Sequence, residues 1–133
     1  MNIAINPTGW LPGQTANGTR HLNWGVKAGN HLYVSGMLSL DPHEGSIVGV
    51  GDIEAQTRRV LDNIKEVIET AGGTMNDVTF NQIFLRDLND YHKMNAIYVT
   101  YFSKVLPARF CVKLEMVRPE FLVEIAATAV LSN

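Results

Sequence analysis

Hydrophobic and polar positions along the chain change their spacing several times, and each change marks an element. Residues 1–20 show no period: Gly, Pro, Asn and Thr dominate, Asn17-Gly18 is a turn signal, and the segment reads as an irregular arm. A strand pattern follows at about 21–28, closes at Ala28-Gly29-Asn30, and resumes in the apolar run HLYVSGML at 31–38, which together predict a β-hairpin. The run DPHEG at 41–45 is turn chemistry, with proline at the second turn position and glycine near the exit. From Asp52, a good N-cap, the residues Ile53, Val60, Leu61, Ile64, Val67, Ile68 and Ala71 fall three and four apart and predict a helix that Gly72-Gly73 stops. The β-branched and aromatic run VTFNQIFLRD at 78–87 predicts a strand. Asn89 or Asp90 can cap a second helix whose stripe is Tyr91, Met94, Tyr98, Tyr101 and Phe102; after Pro107, strands at about 109–117 and 121–131 complete the pattern.

Strand, strand, helix, strand, helix, strand, strand is an α/β (α+β) order, and two amphipathic helices can cover only one face of its sheet. The last strand shows what the other face needs. Phe121, Val123, Ile125, Ala127 and Ala129 alternate with Leu122, Ala126, Thr128 and Val130, so neither side suits open water. A second copy of the chain covering that face is the simplest solution, and a homo-oligomer is expected. The preceding strand splits more sharply: Phe110, Val112, Leu114 and Met116 on one side, Arg109, Cys111, Lys113 and Glu115 on the other. The apolar set is expected beneath the helices, and Arg109 on the side the partner covers.

Composition narrows the function without naming it. A chain of 133 residues fits a single domain, 1–133, with an ordinary 46% of hydrophobic and 18% of charged residues. A net charge of −2 carries no electrostatic footprint for nucleic acid or an anionic membrane. One cysteine, Cys111, rules out an internal disulfide and any multi-cysteine zinc site. The stretch MNIAINPTGW lacks the basic and apolar segments of a secretory signal, and no apolar run approaches the ~20 residues of a membrane helix, so a reducing, cytoplasmic setting is expected.

Against that background Glu124 stands out, a carboxylate in mid-strand with Leu122, Ala126, Thr128 and Val130 on its own side. Such a group is desolvated unless a cation or a water pocket receives it. Arg109 is the candidate partner if the two final strands lie close, either as a half-buried pair that fixes subunit register or as part of a site. Cys111 beside Arg109 is either a nucleophile of lowered pKa or a small core thiol. The four histidines, His21, His31, His43 and His92, show no ligand spacing, and GVGDIE at 49–54 lacks the third glycine of a dinucleotide fingerprint and the lysine of a P-loop. Ser35 lacks the nucleophile elbow of a serine hydrolase; the backbone N–H groups of Ser35 and Gly36 could instead approach an anion.

Five stretches carry a resemblance: YVSGML (33–38), AQTRRVLDNIKEVIETAGGTMNDV (55–78), MNAIYVTYF (94–102), PARFCV (107–112) and VEIAATAV (123–130). Together they resemble the RidA/YjgF/UK114 family of imine and enamine deaminases, from about residue 30 onward, and look nearest to its 3-aminoacrylate deaminases. The resemblance implies a chorismate-mutase-like (YjgF-like) fold, a mixed sheet with two helices on one face, and a homotrimer with active sites between subunits. It implies no metal and no organic cofactor. By matching position, Arg109 grips the substrate carboxylate as a fork, and Glu124 holds and activates the water that attacks the C=N carbon. Ser35, Gly36 and Cys111 line the pocket, while Tyr91 and Asn95 wall it from a helix. The family's G-P-Y segment is replaced here by TRHLNW (19–24), with Leu22 about where the aromatic would fall and His21 or Trp24 as substitutes.

The expected function is hydrolytic deamination of a small carboxylate-bearing enamine or imine such as 3-aminoacrylate or 2-aminoacrylate. The alternatives are a longer acid such as 2-aminomuconate, or a non-catalytic carboxylate-binding trimer with a regulatory or chaperone-like role. A ribonuclease or translation inhibitor, an older label for the family, is opposed by the acidic balance and the want of a basic groove with stacking aromatics.

Overall fold

The computed structural model describes residues 1–132. Its first helix, α1, spans Ile53–Thr70 and starts where the pattern places it: Asp52 takes an extended backbone, and its carboxylate accepts the Ala55 N–H at 3.0 Å. The inward stripe of α1 includes Val60, Leu61, Ile64, Val67 and Ile68, all fully buried, each worth ~1.5–3 kcal/mol of burial. The second helix, α2, is shorter, Tyr91–Tyr98, and runs on as a 3-10 turn to Tyr101. Its start is prepared by Asp87, which caps the 3-10 turn Leu88–Asp90 through the Asn89 N–H; Asp90 holds the N-cap position of α2 without a side-chain bond.

Six strands make one mixed sheet: β1 Asn2–Ile5, β2 Gly25–Ala28, β3 His31–Met37, β4 Val78–Leu85, β5 Ala108–Lys113 and β6 Val123–Val130. Their order across the sheet is β1-β2-β3-β6-β4-β5, with β4–β5 parallel and all other neighbours antiparallel. The arm is therefore not wholly irregular: Asn2–Ile5 pairs with Gly25–Ala28 and extends the sheet by one strand. Four residues are too few for a period to show. The strand read at 21–28 is correspondingly shorter, because residues 21–24 belong to the arm's packing.

The core lies between the sheet and the helices. Leu32, Val34, Ile83, Leu85, Val123, Ile125, Ala127 and Ala129 face α1 and α2, and almost all of their surface is removed from water. The parallel register places Asn81, Ile83 and Leu85 beside Arg109, Cys111 and Lys113, so the polar side of β5 is the one that shares the helix face. Phe110 and Val112 point the other way and stay 41% and 44% exposed. The expected faces of this strand are thus reversed. An edge strand beside α2 can place an arginine on the helix side, where its stem packs and its head reaches water.

On the uncovered face, Phe110 meets Phe80 and Phe84 edge-on, with centroids 5.8 and 5.9 Å away. Tyr33, opposite Thr128, is half exposed there. The face is apolar and aromatic.

Candidate active site

The residues singled out by sequence fall into two groups on opposite sides of the sheet. The first surrounds Glu124. Between β3 and β6 the register passes from Val34↔Ala127 to Met37↔Ile125, three steps on one strand against two on the other, so Ser35 and Gly36 form a β-bulge. Ser35 is fully engaged: its hydroxyl donates to the Asn23 C=O at 2.6 Å, and its N–H to the Trp24 C=O at 2.9 Å. The Ser35 N–H is therefore not a free anion donor, contrary to the expectation. Gly36 lies directly against Glu124; a Cβ there would stand 2.3 Å from Oε2 of the carboxylate. Glu124 is half-buried and makes no ion pair among the described residues, and burial alone pushes its carboxyl above the usual range.

A cleft of about 440 Å³ opens beside Gly36 and Glu124, walled by Trp10, Leu22, Trp24 and Leu40. The arm builds the wall. Gly13 is packed so tightly on Leu22 that no side chain fits between them, and the Leu11 N–H donates to the Pro42 C=O at 2.7 Å. Trp24 donates its indole N–H to the Leu11 C=O at 2.9 Å and meets Trp10 edge-on at 5.7 Å. Leu22 and Trp24 thus both face the cleft, Trp24 as a fixed wall, while His21 is exposed beside them. Trp10 was missed because it lies in the arm, where no period points to it.

The second group surrounds Arg109 on the helix side of β5. Its guanidinium donates to the Tyr91 hydroxyl at 3.1 Å and lies 4.9 Å from the centre of the Tyr98 ring. Tyr98 is held in turn, its hydroxyl accepting from the buried Asn81 side chain at 2.9 Å. Burial raises the Tyr98 hydroxyl pKa, and the Asn81 hydrogen bond and the Arg109 charge only partly offset this, so the ring stays neutral beneath the cation. Tyr98, read from the sequence only as part of an apolar stripe, and Asn81, not singled out there, are the supports. Asn81 could have been found, since alternation puts it on the same face as Ile83 and Leu85, where a polar side chain must have a partner. Asn95, one turn after Tyr91 on α2, keeps a buried Oδ1 with no hydrogen-bond partner. Cys111 is half-buried, and burial pushes its thiol up by more than Arg109 draws it down, which opposes a reactive thiolate.

Arg109 and Glu124 do not meet within the chain. β4 lies between their strands, Glu124 pairs in register with Phe84 on the uncovered face, and Arg109 pairs with Asn81 on the helix face. The expected contact between neighbouring final strands is overturned. Among the described residues, no group of three or more His, Cys, Asp or Glu side chains is placed to hold a metal ion, and no helix is long and apolar enough to cross a membrane.

The closeness of Gly36 to the carboxylate gives a direct test of the first group. Gly36→Ala forces Glu124 aside while the fold absorbs a strain of ~1–3 kcal/mol. If the carboxylate takes part in a reaction, turnover is expected to fall about 10²-fold in a protein with a cooperative melt, the size of loss that a ~1 Å misplacement can cause. Unchanged turnover would show that the carboxylate need not stand where it does.

The sequence model described as endoribonuclease L-PSP matches residues 14–131. The 3-aminoacrylate deaminase RutC of Acinetobacter baylyi is 52% identical over 104 residues, which cover 78% of this chain and 82% of that protein. Among solved structures, YyfA of Yersinia pestis, described as a member of the conserved Rid protein family, superposes with a TM-score of 0.86 at 31% identity, over 98% of this chain and all of the other. TdcF of E. coli with bound serine superposes with a TM-score of 0.83 at 29% identity, again over 98% of this chain and all of the other. A match over nearly the whole sheet and both helices, with a relative identical at half of the aligned positions, settles the kinship: the chain belongs to the endoribonuclease L-PSP family, the Rid/YjgF family of imine and enamine deaminases.

Proposed function

We propose that the protein is a hydrolytic deaminase of small carboxylate-bearing enamines and imines, of the 3-aminoacrylate or 2-aminoacrylate type, working as a cytoplasmic homotrimer. The observation that carries the reading is the placement of Glu124 and Arg109 on opposite faces of one sheet, with an apolar aromatic surface left uncovered around Glu124. Each chain then offers two halves of a site. A neighbour seated on the uncovered face can bring its Arg109 half to this chain's Glu124 half, which one chain cannot do alone. The 3-aminoacrylate deaminase relative and the serine held by TdcF support a small carboxylate-bearing ligand.

The chemistry follows from the groups. Arg109, steadied by Tyr91 and Tyr98, presents two parallel donors to the substrate carboxylate. The enamine tautomerises to an imine whose carbon is already electrophilic. With the imine nitrogen protonated, Glu124 takes a proton from a water as its oxygen attacks that carbon, giving a neutral carbinolamine. The carboxyl returns that proton to nitrogen and, as the C–N bond breaks, takes the hydroxyl proton, so that ammonia leaves and a carbonyl remains. A carboxylate of raised pKa suits both transfers. Gly36, Leu22 and Trp24 shape the pocket on this side; Cys111 and Asn95 line it on the other.

The test generates 2-aminoacrylate or 3-aminoacrylate in situ and follows ammonia release, with sedimentation at micromolar concentration alongside. Release well above buffer from a species of three times the chain mass is expected. Buffer-level release with every carboxylate-bearing enamine tried sinks the enzyme reading, and a monomer sinks the shared site.

A further inference from the structure

Gln56 is an amide with no exposed surface at the fourth position of α1, and its side chain makes three hydrogen bonds, all outside its own helix. Its Nε2 donates to the Gly49 C=O at 3.1 Å and to the Glu120 C=O at 2.9 Å, and its Oε1 accepts the Leu122 N–H at 2.9 Å. One side chain thus ties the loop before α1 to the loop that feeds β6. Leu122 is held on its other side as well, its C=O accepting the Arg86 N–H at 3.0 Å. Two residues later comes Glu124, the second residue of β6, wedged against Gly36.

Residues 114–122, which lead to that position, have no regular structure of their own. They are fastened by the buried Phe121 ring, the exposed Arg118–Glu120 ion pair at 2.9 Å and the Gln56 amide. An apolar ring fixes depth but not direction, and an exposed ion pair contributes little. Beside the Arg86 N–H on the Leu122 C=O, the buried amide is the side chain that fixes where the backbone points as it enters β6. We propose that Gln56 is a positioning residue for the reaction: it acts through the Leu122 backbone to set the height and direction of Glu124 in the cleft. The inference rests on the reading of Glu124 as the group that activates water.

A positioning role separates from a purely structural one because Arg109, on β5 and the other face, is outside its reach. Gln56→Met keeps the volume and removes all three bonds. Its kcat for 2-aminoacrylate or 3-aminoacrylate is expected to fall about 10- to 100-fold with KM within about twofold of wild type. Should this variant fail to fold, the bond is removed from its other end. A synthetic segment 111–133 carrying an ester in place of the Leu122 amide is ligated at Cys111, and the same split is expected. Wild-type kcat in either folded protein overturns the proposal, as does a parallel loss of kcat and affinity. Glu124→Gln is measured alongside to tell the two failures apart. A fully active Glu124→Gln protein overturns the reading of Glu124 and the role of Gln56 with it. An inactive Glu124→Gln beside an unimpaired Gln56→Met overturns the role of Gln56 alone.

Discussion

Arg109→Ala protein and Glu124→Gln protein, each nearly inactive, are expected to regain about a quarter of wild-type deaminase activity when co-expressed or refolded together. The loss in the first follows from the clamp. Removing one partner of a desolvated, bidentate charge pair costs ~2–5 kcal/mol, so kcat/KM falls by about 30- to 5,000-fold, with most of the change in KM. Arg109→Lys recovers little, because an ammonium neither forks onto a carboxylate nor lies flat on Tyr98. The recovery on mixing follows from the sheet. The two residues lie on opposite faces, and the proposed site takes Arg109 from one chain and Glu124 from its neighbour. In random assembly each site draws its arginine from an Arg109-bearing chain half the time and its glutamate from a Glu124-bearing chain half the time, hence about a quarter. Mixtures no more active than their components, once hybrid oligomers are shown to have formed, would end the shared-site reading.

What the sequence could and could not show divides along the same lines. α1 was legible because Asp52, its apolar stripe and Gly72-Gly73 agree on one answer. Glu124 was legible as a lone carboxylate among apolar neighbours, and the bulge beneath it was not, since register slips leave no period. The faces of β5 were separable by alternation, but which one met the helices depended on pairing with Asn81, Ile83 and Leu85 of β4, a parallel contact that strand-by-strand reading cannot supply. That single unknown reversed the placement of Arg109. β1 escaped because four residues at a sheet edge are fixed by their partner strand rather than by their own pattern. Tyr91 and Asn95 came from resemblance alone. Tyr98, read as part of an apolar stripe, turns its ring to Arg109 and its hydroxyl to Asn81, and only the fold shows that.

Glu124→Gln is expected to lower kcat by about 10²–10⁴-fold, the usual contribution of a positioned acid–base group, and to leave KM nearly unchanged, since in the proposed site the substrate is gripped by Arg109. The amide keeps the size and packing against Gly36, so the loss reports the proton chemistry and not the fold. The wild-type pH profile carries the same information. Burial is the one cause acting on the Glu124 carboxyl, and it raises the pKa from its ordinary 4.5. In the complex with substrate, Arg109 is neutralised by the carboxylate it holds, so its charge does little to draw that value back down. The group must be ionised to accept the proton from water, so kcat falls as the pH drops through the raised pKa. The acid limb of kcat therefore lies above the ordinary carboxylate range, and the residual rate of Glu124→Gln lacks that limb. A wild-type limb at or below 4.5 would mean that Glu124 is solvated and paired in the working enzyme; a limb that survives in Glu124→Gln would assign it to another group and take the water-activating role from Glu124.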